Sequence, residues 1–348
     1  MSSSAARNVS IYALILCSAL AHACGDDDTN SSNTIGVTEA GADGGGKDTA
    51  GEGGSAAAGK AGDATAGKAG DSGPRAGARA AGGDLDAGSE PGDQLAVDIR
   101  FAARVGREPF ACGRSYERQG RSAVTVTPVD LRLYVQDVRL VTRDGREVPV
   151  QLDVREPFQS AVVALLDFED ASGSCGGDSR MNDHVTGRVP AGEYTALRFS
   201  NAVPTALNHG DPRLYPTPLK APGMSWNWLL GLRFVKAELT TESADLDAGA
   251  APGGALHLGS TACSGNPTAG DITCKKPNRN RVQLEGYEIG RSVVVLDVAE
   301  IFKASDLTQV EECHSAGPPC ESMFRSLGVD FATGAASERQ TVYRLEKP

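Results

Sequence analysis

The sequence predicts an all-β domain, an antiparallel β-sandwich, over residues 95–348. Short stretches in which apolar and polar residues alternate are the first observation, and the Gly, Pro and Asp turns between them are the second. The third is that helical periodicity is brief, near 298–304 and 321–327 only. Many short strands separated by turns are typical of sandwiches and barrels. Of the two, we expect the sandwich.

The predicted strands follow one another along this region. Leu95 to Val105 alternates as a half-buried strand does, and Asp130 to Val141 alternates again before a hairpin turn at Asp144-Gly145. The other expected strands are Ala161 to Phe168, Gly192 to Phe199, Trp226 to Leu239, Arg281 to Ile289 and Val293 to Val298. Long loops, where binding residues usually lie, are expected around 106–122, 169–184, 202–224 and 241–280.

Residues 1–24 have the pattern of an export signal. Arg7 supplies a positive charge, and the apolar run from Val9 to Leu20 is too short to span a membrane. Small residues precede Cys24, as at a bacterial lipoprotein cleavage site, so we expect lipidation of Cys24. Ordinary cleavage after Ala23 is the alternative. The expected location is the periplasm, or the outer membrane or cell surface through a lipid anchor.

Residues 25–94 form a low-complexity segment rich in Gly, Ala, Asp and Ser. Such a composition buries too little apolar surface to offset the entropy of ordering, so we expect a disordered tether. This segment carries most of the chain's net charge of −11. The domain after it is only mildly acidic and has no basic patch, which argues against nucleic acid as a partner.

Six cysteines remain in the domain, an even number in an exported chain, and disulfides are the default interpretation. Two pairs, Cys263-Cys274 and Cys313-Cys320, close short loops bracketed by Gly or Pro, which leaves Cys112-Cys175. Six cysteines allow 15 connectivities, so this pairing is one hypothesis among several. A thiolate copper site is the functional alternative.

The two tryptophans lie two residues apart, between two isolated histidines. On a strand, Met224, Trp226 and Trp228 would share one face, and His209 and His257 could converge on it. Imidazole suits copper, zinc, iron or nickel, and thioether suits Cu(I). An intact indole has no lone pair for a metal, so a tryptophan would form a wall or be chemically modified.

Four stretches carry a family resemblance. They are Asn208-His209, the run from Pro218 to Trp228, the stretch from Leu256 to Cys263, and Cys274 to Arg279. In their order and spacing over roughly residues 95–330 they resemble the MbnP-like proteins, the four-Cys partner of the metallo-mystery pair. The segment after the second tryptophan, Leu229 to Phe234, departs from the family pattern.

The resemblance implies an exported copper-binding protein. In it, two histidines, here His209 and His257, hold the metal with a tryptophan oxidised to kynurenine, whose aromatic amine supplies a lone pair. A di-haem, MauG-like cytochrome c peroxidase is the expected partner that performs the oxidation. Trp226, nearer the loop end of the expected strand, is the expected oxidation site, although Trp228 stays open.

Each candidate also has a structural interpretation. Trp226 and Trp228 could be core aromatics, and Met224 could pack in the core rather than bind metal. His184 is a reserve third ligand in an expected surface loop. His314, inside the Cys313-Cys320 loop, is expected to be structural or exposed.

Copper handling is thus the expected function, without enzymatic activity. The alternative is a lipid-anchored module that binds a glycan or a protein through an exposed tryptophan pair. A copper oxidase is a third hypothesis, which requires an open coordination position. The sequence contains no nucleophile elbow, zinc-protease helix or phosphate-binding loop.

Overall fold

Two β-sheets that enclose one apolar core form the domain, as a computed structural model shows. The structure describes residues 93–227, 229–241, 252–337 and 339–347. The expected signal peptide with Cys24, nearly all of the expected tether, and Trp228 lie outside these residues. None of the described helices is long and apolar enough to cross a membrane.

The described strands, in chain order, are β1 (Gln94–Val105), β2 (Glu108–Pro109), β3 (Tyr116–Gln119), β4 (Val124–Thr142), β5 (Glu147–Pro149), β6 (Gln151–Leu152), β7 (Val163–Asp167), β8 (His184–Pro190), β9 (Tyr194–Ser200), β10 (Val235–Thr241), β11 (Gly253–Leu258), β12 (Thr261–Ser264), β13 (Thr273–Lys276), β14 (Val282–Glu285), β15 (Val293–Asp297), β16 (Val310–Cys313) and β17 (Tyr343–Glu346). The helices are α1 (Val298–Phe302) and α2 (Cys320–Leu327), and Thr205–Leu207 and Pro212–Leu214 form 3-10 turns.

The first sheet has the order β17-β15-β1-β8-β6, with β2 beside β1. The second has the order β14-β9-β4-β10-β11-β16, and β3, β5 and β7 also pair with β4. Most pairs are antiparallel, but β1 with β15 and β11 with β16 are parallel. A separate ribbon, β12-β13, follows the second sheet's β11. The predicted all-β sandwich is confirmed.

Aromatic rings join the two sheets across the core. Phe199 of β9 packs edge-on against Phe101 of β1, with ring centroids 5.6 Å apart, and against Tyr343 of β17 at 5.2 Å. Alternation along β1 buries every second residue, as the sequence predicts. Edge-to-face rings add about 0.5–1.5 kcal/mol per pair beyond the apolar area that they bury.

The structure forms the three predicted disulfides, Cys112-Cys175, Cys263-Cys274 and Cys313-Cys320. The second joins β12 to β13, and the third links the end of β16 to the start of α2. These two disulfides fix the β12-β13 ribbon and the segment between β16 and α2.

Two expectations about this edge are wrong. The strand predicted from Trp226 to Leu239 begins only at Val235, because Gly231 takes a left-handed φ of +77° and closes a turn before it. The region 241–280, expected to be loop, contains β11, β12 and β13. Their pairing partners lie far away in sequence, and short strands of this kind give a weak local signal.

Candidate metal centre

Alternation along β10 places Lys236 and Glu238 on the face of the second sheet opposite the core. Their neighbours on the strand, Val235, Ala237 and Leu239, belong to the core cluster. Register then sets the contacts, because Lys236 lies opposite Arg132 of β4 on one side and His257 of β11 on the other. The result is a charged ladder across three strands.

His257 is buried in this ladder, and Glu238 holds one of its ring nitrogens. The distance from His257 Nε2 to Glu238 Oε1 is 2.5 Å. Burial lowers the pKa of His257 despite the opposing effect of Glu238. Burial alone would raise the pKa of Glu238, but His257 and Lys236 outweigh it and lower that pKa to about 2. An ionised Glu238 therefore faces a neutral imidazole, the form that binds metals.

The other nitrogen of His257 faces a second histidine. His257 Nδ1 lies 2.8 Å from Nδ1 of His314, and Nε2 of His314 lies 3.2 Å from Glu312 Oε2. A carboxylate at each Nε2 favours the proton there, which leaves both Nδ1 lone pairs directed at each other. Only a shared proton or a cation satisfies this contact. A carboxylate behind each imidazole is the common arrangement around metal-binding histidines.

A serine fixes the loop that carries His314. The Ser315 hydroxyl donates to the backbone oxygen of His257 at 2.7 Å and accepts from the backbone N–H of Gly259 at 2.7 Å. The parallel pairing of β16 with β11, and the Cys313-Cys320 disulfide, hold the same segment. His314 is therefore placed by the fold, and it is exposed, as the sequence predicts. Its proximity to Cys313 was the only sequence signal.

Trp226 forms the wall beside His257. The two ring centroids are 6.5 Å apart, and the guanidinium of Arg233 lies 5.2 Å from the indole centroid. Gly259 faces the indole so closely that a Cβ there would come within 2.4 Å of it. Trp226, Arg233 and His314 line a hollow of about 320 Å³, together with Leu230, Ser260 and Thr261. The indole is thus close to the imidazole pair and is covered on the glycine side.

The predicted stripe of Met224, Trp226 and Trp228 on a strand is wrong for the residues that the structure describes. The segment is a turn, in which the backbone N–H of Trp226 donates to Gly231 and the side chain of Asn227 accepts from the backbone of Leu230. Met224 is fully buried in the core, whereas Trp226 is half-buried. An apolar run resembles a strand in sequence, but the Asn227 side chain and Gly231 close it into a turn.

His209 lies at the neighbouring ribbon. Its Nε2 is 3.3 Å from Sγ of Cys274 and 2.9 Å from Nδ2 of Asn208, and that amide nitrogen is 3.3 Å from Oγ of Ser260. Asn208 therefore connects His209 to the segment just after His257. His209 also forms a close group with Cys263 and Cys274. Those two sulfurs are joined in a disulfide, so they are not thiolate ligands.

His184 lies in the other sheet, at the start of β8. Its two ring nitrogens contact Asp98 at 2.8 Å and Asp183 at 2.9 Å. Of the histidines described, the structure brings His257 and His314 together beside Trp226. His209 contacts Asn208, whose amide reaches Ser260 just after His257, and His184 lies in the other sheet.

Comparison with known proteins gives two matches. The MbnP family model matches residues 94–315. Among solved structures, MbnP from Methylosinus trichosporium is similar to the chain, with 29% sequence identity and a TM-score of 0.65. The match covers 73% of this chain and 99% of that one. No curated protein matches the chain.

Proposed function

The chain belongs to the MbnP family, and from this premise we propose that it is an extracytoplasmic copper-binding protein of copper homeostasis. In this proposal imidazoles hold the metal, together with a tryptophan that a di-haem partner enzyme oxidises to kynurenine. Family membership supports a copper-related role. The side chains around His257 support the ligand set.

One observation carries the proposal: Nδ1 of His257 and Nδ1 of His314 lie 2.8 Å apart beside Trp226. Glu238 accepts from the opposite nitrogen of His257, so the lone pair needs no rearrangement before it binds a metal. Imidazole is a suitable ligand for copper. The donor set therefore fits the metal that the family implies.

Trp226 needs chemical modification before it can contribute a ligand atom. An intact indole offers an N–H donor only, whereas kynurenine has an aromatic amine. The half-buried ring beside His257 makes Trp226 the tryptophan that we propose for oxidation. The oxidant is proposed to come from a di-haem, MauG-like cytochrome c peroxidase, in line with the sequence resemblance.

His257 is the central ligand in this proposal. Two other imidazoles are candidates for its companion: His209 matches the family motif, and His314 is in direct contact with His257. The N-terminal sequence supports export and lipidation at Cys24, with residues 25–94 as the tether. Cell-surface or periplasmic exposure would give the domain access to extracellular copper.

The test is metal analysis of the exported protein produced with and without the di-haem enzyme. Trypsin cleavage after Lys220 and Arg233 releases one peptide that contains both tryptophans, and its fragmentation mass spectrum locates any kynurenine. We expect bound copper, and kynurenine at position 226 only when the partner is present. Protein that contains neither copper nor oxidised tryptophan in the presence of the partner would contradict the proposal.

Single substitutions identify the imidazoles. His257→Asn is expected to weaken copper binding by more than about tenfold, because it removes the central ligand. His209→Asn and His314→Asn show which companion contributes, since only the ligand's loss lowers affinity. His184→Asn is the matched control and should retain full copper binding. Equal copper content in His257→Asn and the parent protein would exclude this site.

A further inference from the structure

A second and larger cavity opens on the charged face of the second sheet. Its volume is about 770 Å³, within the range of sites for organic ligands. The ladder residues Arg132, Lys236 and Glu238 form its floor. Part of its wall is apolar and consists of Pro157, Phe158, Leu165, Pro218, Ala221 and Pro222.

The charges of the lining do not cancel locally. Arg132 pairs with both oxygens of Asp130, Lys236 pairs with Asp130 and Glu238, and Arg180 pairs with Asp178. Lys220, the fourth basic residue, is exposed.

Asp167 and Glu169 are the two remaining carboxylates, and Glu169 shares Arg132 with Asp130. Within the described residues Asp167 forms no salt bridge, and its Oδ1 only accepts from the backbone N–H of Glu169 at 3.2 Å. Burial is the main reason that the pKa of each rises to about 7, and Asp130 adds to the effect at both. Arg132 offsets these effects only in part.

Glu169 is a buried carboxylate with one unsatisfied oxygen. Its side chain is 1% exposed, it lines the cavity, and its Oε2 has no hydrogen-bond partner among the described residues. Nε of Arg132 lies 3.0 Å from Oε1, and the same guanidinium also donates to Asp130 and to the backbone oxygen of Pro222. Gly177 leaves room for the carboxylate, because a Cβ there would be 2.4 Å from Oε1. A buried acceptor without a partner is costly, and a cationic donor in the cavity would satisfy it.

The cavity does not suit a metal ion. Ca²⁺ takes six to eight oxygen ligands, and no three carboxylates of the described lining converge closely enough to share one ion. The volume, and the apolar wall formed by the prolines and Phe158, suit an organic molecule rather than a single ion. An ammonium group attached to an apolar or aromatic body matches both parts of the lining.

We propose that this cavity binds an organic cation, whose ammonium group pairs with Glu169 and Asp167 and whose apolar body packs against Phe158 and the proline wall. The cation would donate to Oε2 of Glu169 and add a positive charge beside the two carboxylates. No group of the proposed copper site other than Glu238 belongs to this lining. The inference therefore stands independently of copper binding.

Calorimetric titration of the full-length protein with three matched probes tests the proposal. The probes are 2-phenylethylamine, its neutral analogue 2-phenylethanol and its acidic analogue 3-phenylpropanoate. We expect saturable binding of the amine, at least about tenfold tighter than that of the alcohol, from the strength of a charged hydrogen bond in a buried site. The acid should not bind. Equal affinity for amine and alcohol, or no binding of the amine, would overturn the proposal, as would displacement of the amine by calcium chloride.

Glu169→Gln removes the charge and keeps the shape of the side chain. We expect it to weaken amine binding by at least about tenfold. Asp170→Asn, in the same loop but outside the lining, is the matched control and should bind like the parent protein. If Glu169→Gln does not fold, Asp167→Asn replaces it with the same expected direction. A folded Glu169→Gln or Asp167→Asn protein with unchanged affinity would also overturn the proposal, and copper content of the same samples reports separately on the proposed function.

Discussion

Glu238, which is half-buried, and Glu169, which is fully buried, both line the larger cavity, and their neighbours shift their pKa values in opposite directions. Glu238 has His257 and Lys236 beside it, and its pKa falls to about 2 although burial opposes this. Glu169 has Arg132 on one oxygen only and Asp130 and Asp167 nearby, so burial and repulsion raise its pKa to about 7. Burial alone therefore does not decide the state of a carboxylate; its neighbours do.

The difference separates two roles. An ionised Glu238 fixes the proton of His257 on Nε2 and directs the Nδ1 lone pair towards His314. Glu169 has an unsatisfied oxygen in a spacious cavity, which favours capture of a positive charge from outside. Asp130 and Lys236 lie between the two and are shared, since Lys236 Nζ contacts Asp130 at 2.6 Å and Glu238 at 3.3 Å.

The largest effect is expected from Arg132→Met. Arg132 is the main cation near Glu169 and Asp130, and its removal leaves buried carboxylates without compensation. We expect the free energy of unfolding to fall by about 4 kcal/mol, the scale for breaking a buried ion pair. Urea denaturation measures it. Arg180→Met removes an exposed pair of the same cavity and should cost less than about 1 kcal/mol, so similar losses in both variants would contradict the difference in burial.

Glu238→Gln tests the other glutamate with a smaller expected effect. The amide keeps the shape but no longer favours a proton on Nε2 of His257, so copper affinity should fall about 10- to 100-fold. Competition with a copper chelator measures the change. Glu312→Gln, at the half-exposed His314, should have a weaker effect in the same direction. Unchanged affinity in Glu238→Gln would show that this carboxylate does not orient the ligand.

Local sequence pattern was sufficient for much of the scaffold. Strict alternation identified β1 and most of β4, and short bracketed loops identified two disulfides, which left the third pair. The turn at Trp226 was missed because its apolar residues resemble a strand, while the features that close it are a side-chain contact of Asn227 and the φ of Gly231.

The relation between distant residues could not be read from the pattern. His314 faces His257 only because β16 pairs in parallel with β11, a register that neither segment specifies alone. The charge balance of the cavity likewise depends on how Arg132 contacts two carboxylates. Asp130 is two residues away in sequence, whereas Glu169 follows β7 and comes near Arg132 only through the fold. Local periodicity predicts elements, whereas sites on this face arise from the register between them.

The smallest effect concerns the pH dependence of stability, and it addresses Glu169 directly. Its pKa rises from 4.5 to about 7 on folding, so the folded protein favours the protonated acid. The associated stabilisation is complete below about pH 4.5 and is lost as the pH rises to about 7. Asp130, Asp167, Arg132 and Lys236 are the charged groups that face Glu169, and Asp167 contributes a slope of the same sign.

Glu169→Gln removes one of these two titrating groups. Between the two ends of the window the parent protein should lose more stability than the variant, by on the order of 1 kcal/mol, which urea denaturation at several pH values measures. Glu321→Gln, an exposed residue of α2 paired with Arg325, is the control and should keep the parent slope. A parent-like slope in Glu169→Gln would mean that Glu169 stays ionised in the folded protein. Its pKa would then not be raised, and the contrast with Glu238 would fail.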